Sequence, residues 1–185
     1  FALRFAGEMT HFPAFEMPPQ MFPVLFLAFA FLGIAAILTF NARTEREVYP
    51  TNWFLFAGIF VFPWIYSVAA LMLGDETTRG ILEPVISTWF FNNFLWLWLG
   101  MTALGTIFYF VAKLSGQPLQ SRQLAVFGFW FFLLFATGSG FQNVAGLPNW
   151  MPSLSRVLNL LLLVPVLAIA LDWHRTWSAR NRQKT

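Results

Sequence analysis

Cysteine is absent from the 185 residues, and histidine appears twice. The first absence excludes disulfides, thiolate metal sites and iron–sulfur clusters held by this chain. The two histidines, His11 and His174, lie outside the apolar runs. In the topology that the charges predict they fall on opposite sides of a membrane, so they cannot be two ligands of one site. Charge is scarce as well: charged residues make up 10% of the chain, against 58% hydrophobic. No ordinary soluble domain can hide so much apolar side chain. The eight carboxylates (Glu8, Glu16, Glu45, Glu47, Asp75, Glu76, Glu83 and Asp172) all fall in predicted loops or at helix ends. Acid–base chemistry or a proton path inside a membrane needs ionisable groups within a span, and the pattern places none there. The net charge of +3 sits on membrane flanks, which excludes nucleic acid as a partner. No signal-peptide pattern is visible, because Arg4 and Glu8 lead into the proline-rich HFPAFEMPPQ.

What is present is a series of uncharged runs of membrane-spanning length. They predict an all-α membrane protein with about five transmembrane helices. Residues 1–18 read as a non-cytoplasmic, extended or interfacial segment. Residues 19–173 form the transmembrane domain, and 174–185 a basic cytoplasmic tail. The helices are predicted over 19–41, 51–74 with a kink at Pro63, 84–113, 122–143, and 152–173 with an interruption at Pro165. Lys and Arg concentrate in the first and third loops and the tail, so those face the cytoplasm and the N-terminus lies outside.

Trp53, Trp89, Trp150 and Trp173 fall near predicted helix ends, as an interfacial belt would. Trp64, Trp96, Trp98 and Trp130 lie deeper and read as packing or lipid-facing residues, or as a wall for a pigment, quinone or lipid tail. The amides are the one polar feature inside the spans. Asn92 and Asn93 in the third helix, with Gln142 and Asn143 at the end of the fourth, are expected to bond helices together or to a neighbouring subunit. Gly100, Ala103, Gly105, Gly138, Ser139 and Gly140 would let helices approach closely.

The stretches EVYPTNWFLFAG, WFFNN with YFVAKLSGQPLQSRQLAVFGFW, and GLPNWMPSLSRVLNLLLLVP resemble subunit I of haem–copper oxidases. The nearest flavour is the cbb-type cytochrome c oxidases and the large subunit of nitric oxide reductases. The resemblance covers about residues 45–165 and implies that the five helices correspond to that family's fourth to eighth. It also implies lost copper ligands. Asn92 stands where the family carries a histidine, and Gly140 and Phe141 stand where it carries a His–His pair. Leu134 takes the place of the family's tyrosine on that helix. The family's Ser-Tyr-Arg-Leu-Ser stretch, associated with proton uptake, reads Ser121, Arg122, Gln123, Leu124, Ala125.

The expected function is therefore a non-catalytic accessory or scaffold subunit of a larger membrane electron-transfer complex, respiratory or photosynthetic, in a bacterial inner membrane. No catalytic, cofactor-binding or metal-binding residue is expected in this chain alone. The expected partners are other subunits and lipids, with lipid or pigment contacts on the aromatic faces. The alternatives are one part of a split, working cytochrome c oxidase or nitric oxide reductase, and a pigment- or lipid-holding membrane subunit.

Overall fold

The computed structural model describes residues 21–44, 48–73 and 80–182. The expected N-terminal segment 1–18, with His11, lies outside the described residues. So do loop positions 45–47 and 74–79 and the last three residues.

Every regular element among the described residues is helical. Four helical stretches are long and apolar enough to cross a membrane: Met21–Asn41, Pro50–Leu73, Leu82–Ser115 and Trp150–Ala179. A fifth apolar helix, Arg122–Gly138, is shorter. The first, α1 (Met21–Asn41), is apolar on all sides and buries only Gly33. A helix of that kind faces lipid or other hydrophobic subunits. It meets α2 (Pro50–Leu73) through Phe29, whose ring lies 4.2 Å from that of Phe62.

Helix α2 is the hub. Proline suits its first turn, where an N–H would have no partner. Its buried residues recur every three or four positions, from Thr51, Phe54 and Gly58 to Ala69 and Leu73. Pro63 stays inside the helix, and the Ser67 hydroxyl donates to its carbonyl at 2.6 Å. Two glycines set the closeness of the next span. A Cβ at Gly58 would lie 2.7 Å from Thr102 Oγ1, and one at Gly105 would lie 3.0 Å from Leu55 Cγ.

The third span is one continuous rod in three parts: α3 (Leu82–Asn93), a π-helical stretch (Phe94–Gly100) and α4 (Met101–Ser115). The sequence predicted a single α-helix here. The π stretch follows from where the apolar face falls. Asn93, Leu97, Met101 and Gly105 are all buried, each four residues after the last. Successive steps of four drift around a 3.6-residue helix, and the wider i→i+5 turn keeps them on one face. Gly116 ends α4 in a left-handed conformation (φ 65°), and its N–H reaches Ala112 O at 3.0 Å.

Helix α5 (Arg122–Gly138) packs on the last span, α6 (Trp150–Leu161) and α7 (Leu163–Arg182). Its Gly128 faces Ile169 so closely that a Cβ there would lie 2.6 Å from Cγ1. The break between α6 and α7 is at Leu162, three residues before the predicted Pro165. Proline lacks the N–H that would have closed the preceding turn. The predicted tail continues as helix as far as Arg182.

Candidate functional site

Helix α5 has 17 residues, about 25 Å at 1.5 Å per residue, which is short of the ~30 Å hydrocarbon core. Its ends therefore present unpaired backbone groups near or within the apolar layer, where water is not at hand and protein must satisfy them. The polar side chains of the bundle gather at those two ends.

At the C-terminal end, Asn92 from α3 does the work. Its Nδ2 donates to Ala136 O at 2.8 Å, one of the last carbonyls of α5. The single proton of the Ser139 hydroxyl is shared between two acceptors, Asn92 Oδ1 at 3.3 Å and Ala136 O at 3.0 Å. Gly140 makes this possible: a Cβ there would lie 2.6 Å from Asn92 Cβ and 2.9 Å from its Cγ. The next residue, Phe141, donates its backbone N–H to the Ser155 hydroxyl of α6 at 2.9 Å. Gly138 lies against Leu158 of the same helix, with no room for a Cβ. The structure thus brings Asn92, Gly140 and Phe141 to one place, and it is a packed helix junction.

At the N-terminal end, Ser121 caps its own helix, accepting from Leu124 N at 3.3 Å. Two further acceptors come from α7. Asp172 Oδ1 accepts from Ser121 N at 2.9 Å, and Thr176 Oγ1 accepts from Gln120 N at 3.2 Å. Both side chains are fully buried. Asp172 Oδ2 is a buried polar atom without a partner at this end, and the Tyr49 hydroxyl lies near the Leu119 amide and the Asp172 carboxyl. Tyr49 precedes α2 and lies outside the spans. Burial pushes its hydroxyl above the ordinary value of 10.0, the nearby Leu119 amide opposes this, and the Asp172 carboxyl adds to it.

The remaining predicted residues are dispersed. Asn93 is fully buried but bonds within its own helix, Nδ2 to Trp89 O at 2.8 Å, and its Oδ1 has no partner. It does not bridge to α5. The helix predicted to reach Asn143 stops at Gly138, because the Gly-Ser-Gly run ends it. Gln142 and Asn143 therefore stand in the following loop, where they line an open polar cavity with Asn149, Ser153 and Arg156. Met101 is wholly buried in the core. Trp64 and Trp130 point outward, 71% and 56% exposed, while Trp98 packs on Phe62 and Phe94.

Asp172 is the residue that sequence reasoning missed. The sequence puts it at a predicted helix end, but the helix runs on to Arg182 and buries it. The signal was available in the periodicity. Pro165, Ala168, Ile169, Asp172 and Thr176 form one buried stripe at helical spacing, so the apolar face carries through the acid.

Comparison with known proteins gives this bundle a family. The model of the cytochrome c and quinol oxidase polypeptide I family matches residues 3–184. Cytochrome c oxidase subunit 1 of Rhodobacter capsulatus is 27% identical over 146 residues, covering 74% of this chain and 26% of the relative. The cbb3-type cytochrome c oxidase subunit CcoN1 of Stutzerimonas stutzeri is 26% identical over 153 residues, covering 74% of this chain and 32% of its own length. A cytochrome c oxidase subunit 1 homolog of Azorhizobium caulinodans is 24% identical over 139 residues, or 66% of this chain and 24% of the relative. The chain thus spans about a quarter to a third of the length of the curated relatives it matches. With a family match along nearly its whole length and a bundle of apolar, membrane-length helices, the chain belongs to the cytochrome c and quinol oxidase polypeptide I family.

Proposed function

We propose that this chain is a non-catalytic scaffold or accessory subunit of a larger membrane electron-transfer complex, respiratory or photosynthetic. The observation that carries this reading is the closure of Asn92 against Gly140. On the family resemblance, Asn92, Gly140 and Phe141 stand at the copper-ligand positions. Copper there would take lone pairs from imidazole nitrogens. The Asn92 amide nitrogen is a hydrogen-bond donor, already engaged by Ala136 O. Gly140 has no side chain, and the space beside it holds Asn92. Phe141 offers a hydrocarbon ring. These residues do not fit copper, and no step of oxygen chemistry is assigned to them. Haem iron fares no better with His174, which is exposed near the far end of α7.

A structural role also accounts for α1. Its uniformly apolar surface exposes Val24, Leu27, Phe31, Ile34 and Leu38, suited to lipid or to the apolar helices of partner subunits. The complex would reside in a bacterial inner membrane, with the N-terminus outside and the C-terminus in the cytoplasm, as the Lys/Arg distribution favours. The test is to purify the complex, separate this subunit and measure copper and haem per chain. Values far below one equivalent are expected. A full equivalent of either, carried by this chain alone, overturns the proposal.

A second reading is supported by the oxidase family match along residues 3–184: one part of a split, working oxidase or nitric oxide reductase. In that case Asn92→Ala lowers oxygen or nitric oxide turnover of the assembled complex. Unchanged turnover counts against it.

A further inference from the structure

Three consecutive backbone amides at the entrance of α5 each meet a side-chain oxygen from another part of the chain. Ser121 N–H donates to Asp172 Oδ1 and Gln120 N–H to Thr176 Oγ1. Leu119 N–H lies beside the hydroxyl of Tyr49, the residue before α2. The Thr176 hydroxyl gives its own hydrogen to Asp172 O at 2.9 Å, so that side chain is complete. Two atoms of the cluster are not. The Tyr49 hydroxyl and Asp172 Oδ2 are buried, and among the described residues neither has a hydrogen-bond partner.

Buried polar atoms in folded proteins are almost always paired, and where protein does not pair them a bound water does. The two left over here are complementary. The phenol has a hydrogen to give, and an ionised carboxyl has lone pairs to receive it. The pair is close enough for the carboxyl to act on the phenol, yet the two do not bond directly. A polar pair that falls short of direct contact is the setting in which one water bridges. The charge state follows from the same geometry. A proton on Oδ2 would turn that oxygen into a second donor facing the phenol and leave the phenol's own hydrogen without an acceptor. A hard metal cation takes about six oxygen ligands or more, and this gap offers two. Arg175, exposed on the same helix, lends positive charge to the carboxyl without bonding to Oδ2.

We propose that one water is bound between Tyr49 and Asp172, accepting from the phenol and donating to Asp172 Oδ2, and that it holds the buried acid as a carboxylate. The bonds then run unbroken from Leu119 N–H through Tyr49, the water and Asp172 to Ser121 N–H. They tie the approach to α2, the entrance of α5 and α7 together at one end of the bundle. The site is independent of whether the chain is catalytic.

The test is a cryo-electron-microscopy map of the purified complex at a resolution that shows ordered waters, with infrared difference spectra alongside. A water is expected about 2.5–3.0 Å from both Tyr49 Oη and Asp172 Oδ2. Tyr49→Phe keeps the ring and removes the donor, so its map should lose this water. Hydrogen exchange at the Leu119 amide should then speed up by about tenfold, the loss of one hydrogen bond. The infrared difference between the unaltered complex and Asp172→Asn should show no band from a protonated carboxylic acid. The map of the unaltered complex decides the water by itself if either variant fails to assemble. No water between the two oxygens, whether they touch or stand apart, or a metal ion in its place would overturn the proposal. So would a water that survives Tyr49→Phe, unchanged exchange at Leu119, or an acid band that Asp172→Asn removes.

Discussion

The two ends of α5 face the same problem and solve it with different chemistry. At its N-terminus the helix presents N–H groups and the positive end of its dipole, and α7 supplies acceptors, the Asp172 carboxyl and the Thr176 hydroxyl. At its C-terminus it presents carbonyls, and α3 supplies a donor, the Asn92 amide. The acid stands where a negative group is favoured and the neutral amide where it is not. The Asp172 end leaves polar atoms unpartnered, whereas at the Asn92 end both polar atoms of the side chain are bonded. A helix too short for the bilayer is thus held by its neighbours at both ends, with one end filled and the other polar to spare.

Six variants probe that contrast, each followed by the melting temperature of the detergent-solubilised complex. The largest effect should come from Gly140→His, which introduces the residue type that the sequence resemblance implies for this position but drives its Cβ into Asn92. Overpacking of this kind costs about 1–3 kcal/mol or more. Combining Gly140→Ala with Asn92→Gly should recover part of the loss seen in Gly140→Ala alone, because it removes the Asn92 Cβ that the new methyl meets. Full additivity would mean that the two do not compete for one space. Asp172→Leu comes next. It leaves the part-buried Ser121 N–H without its partner, at about 1–3 kcal/mol, and Asp172→Asn should cost less because an acceptor remains. Asn92→Ala alone should cost about 0.5–2 kcal/mol, in the range of inter-helix hydrogen bonds in membranes. A cost equal to that of Asp172→Leu would erase the distinction between the two ends.

The smallest effect concerns pH. The folded protein holds the Tyr49 hydroxyl above 10.0, so the protonated phenol is favoured by folding. Its contribution to stability is present below pH 10 and is lost as the pH rises through the folded value. Tyr49→Phe should therefore show a shallower loss of stability above pH 10 than the unaltered chain. Parallel curves would remove Tyr49 from the account.

Much of this was visible in the residues themselves. Runs of Phe, Leu, Trp and Ala without charge can be stable only as membrane helices, so the all-α spans were legible. The boundaries less so: Gly138–Ser139–Gly140 could end a helix or let two helices touch, and it does both. The π-helical stretch at Phe94–Gly100 came from spacing that has meaning only once a partner face is known, whereas the burial of Asp172 continues a stripe that the spacing of α7 already carries. An acid at a hydrophobic helix end is ordinarily interfacial, and α7 overrides this because Ser121 N–H needs an acceptor.

What the sequence by itself determined is the solvent, the all-α class and the family, because each follows from local composition and motif. What the tertiary structure decided is which polar groups meet. Asn92 and Asn93 are adjacent and chemically identical, yet one joins α3 to α5 and the other bonds within its own helix. Successive residues on a helix point about 100° apart, so only the placement of the neighbouring helix assigns them different roles.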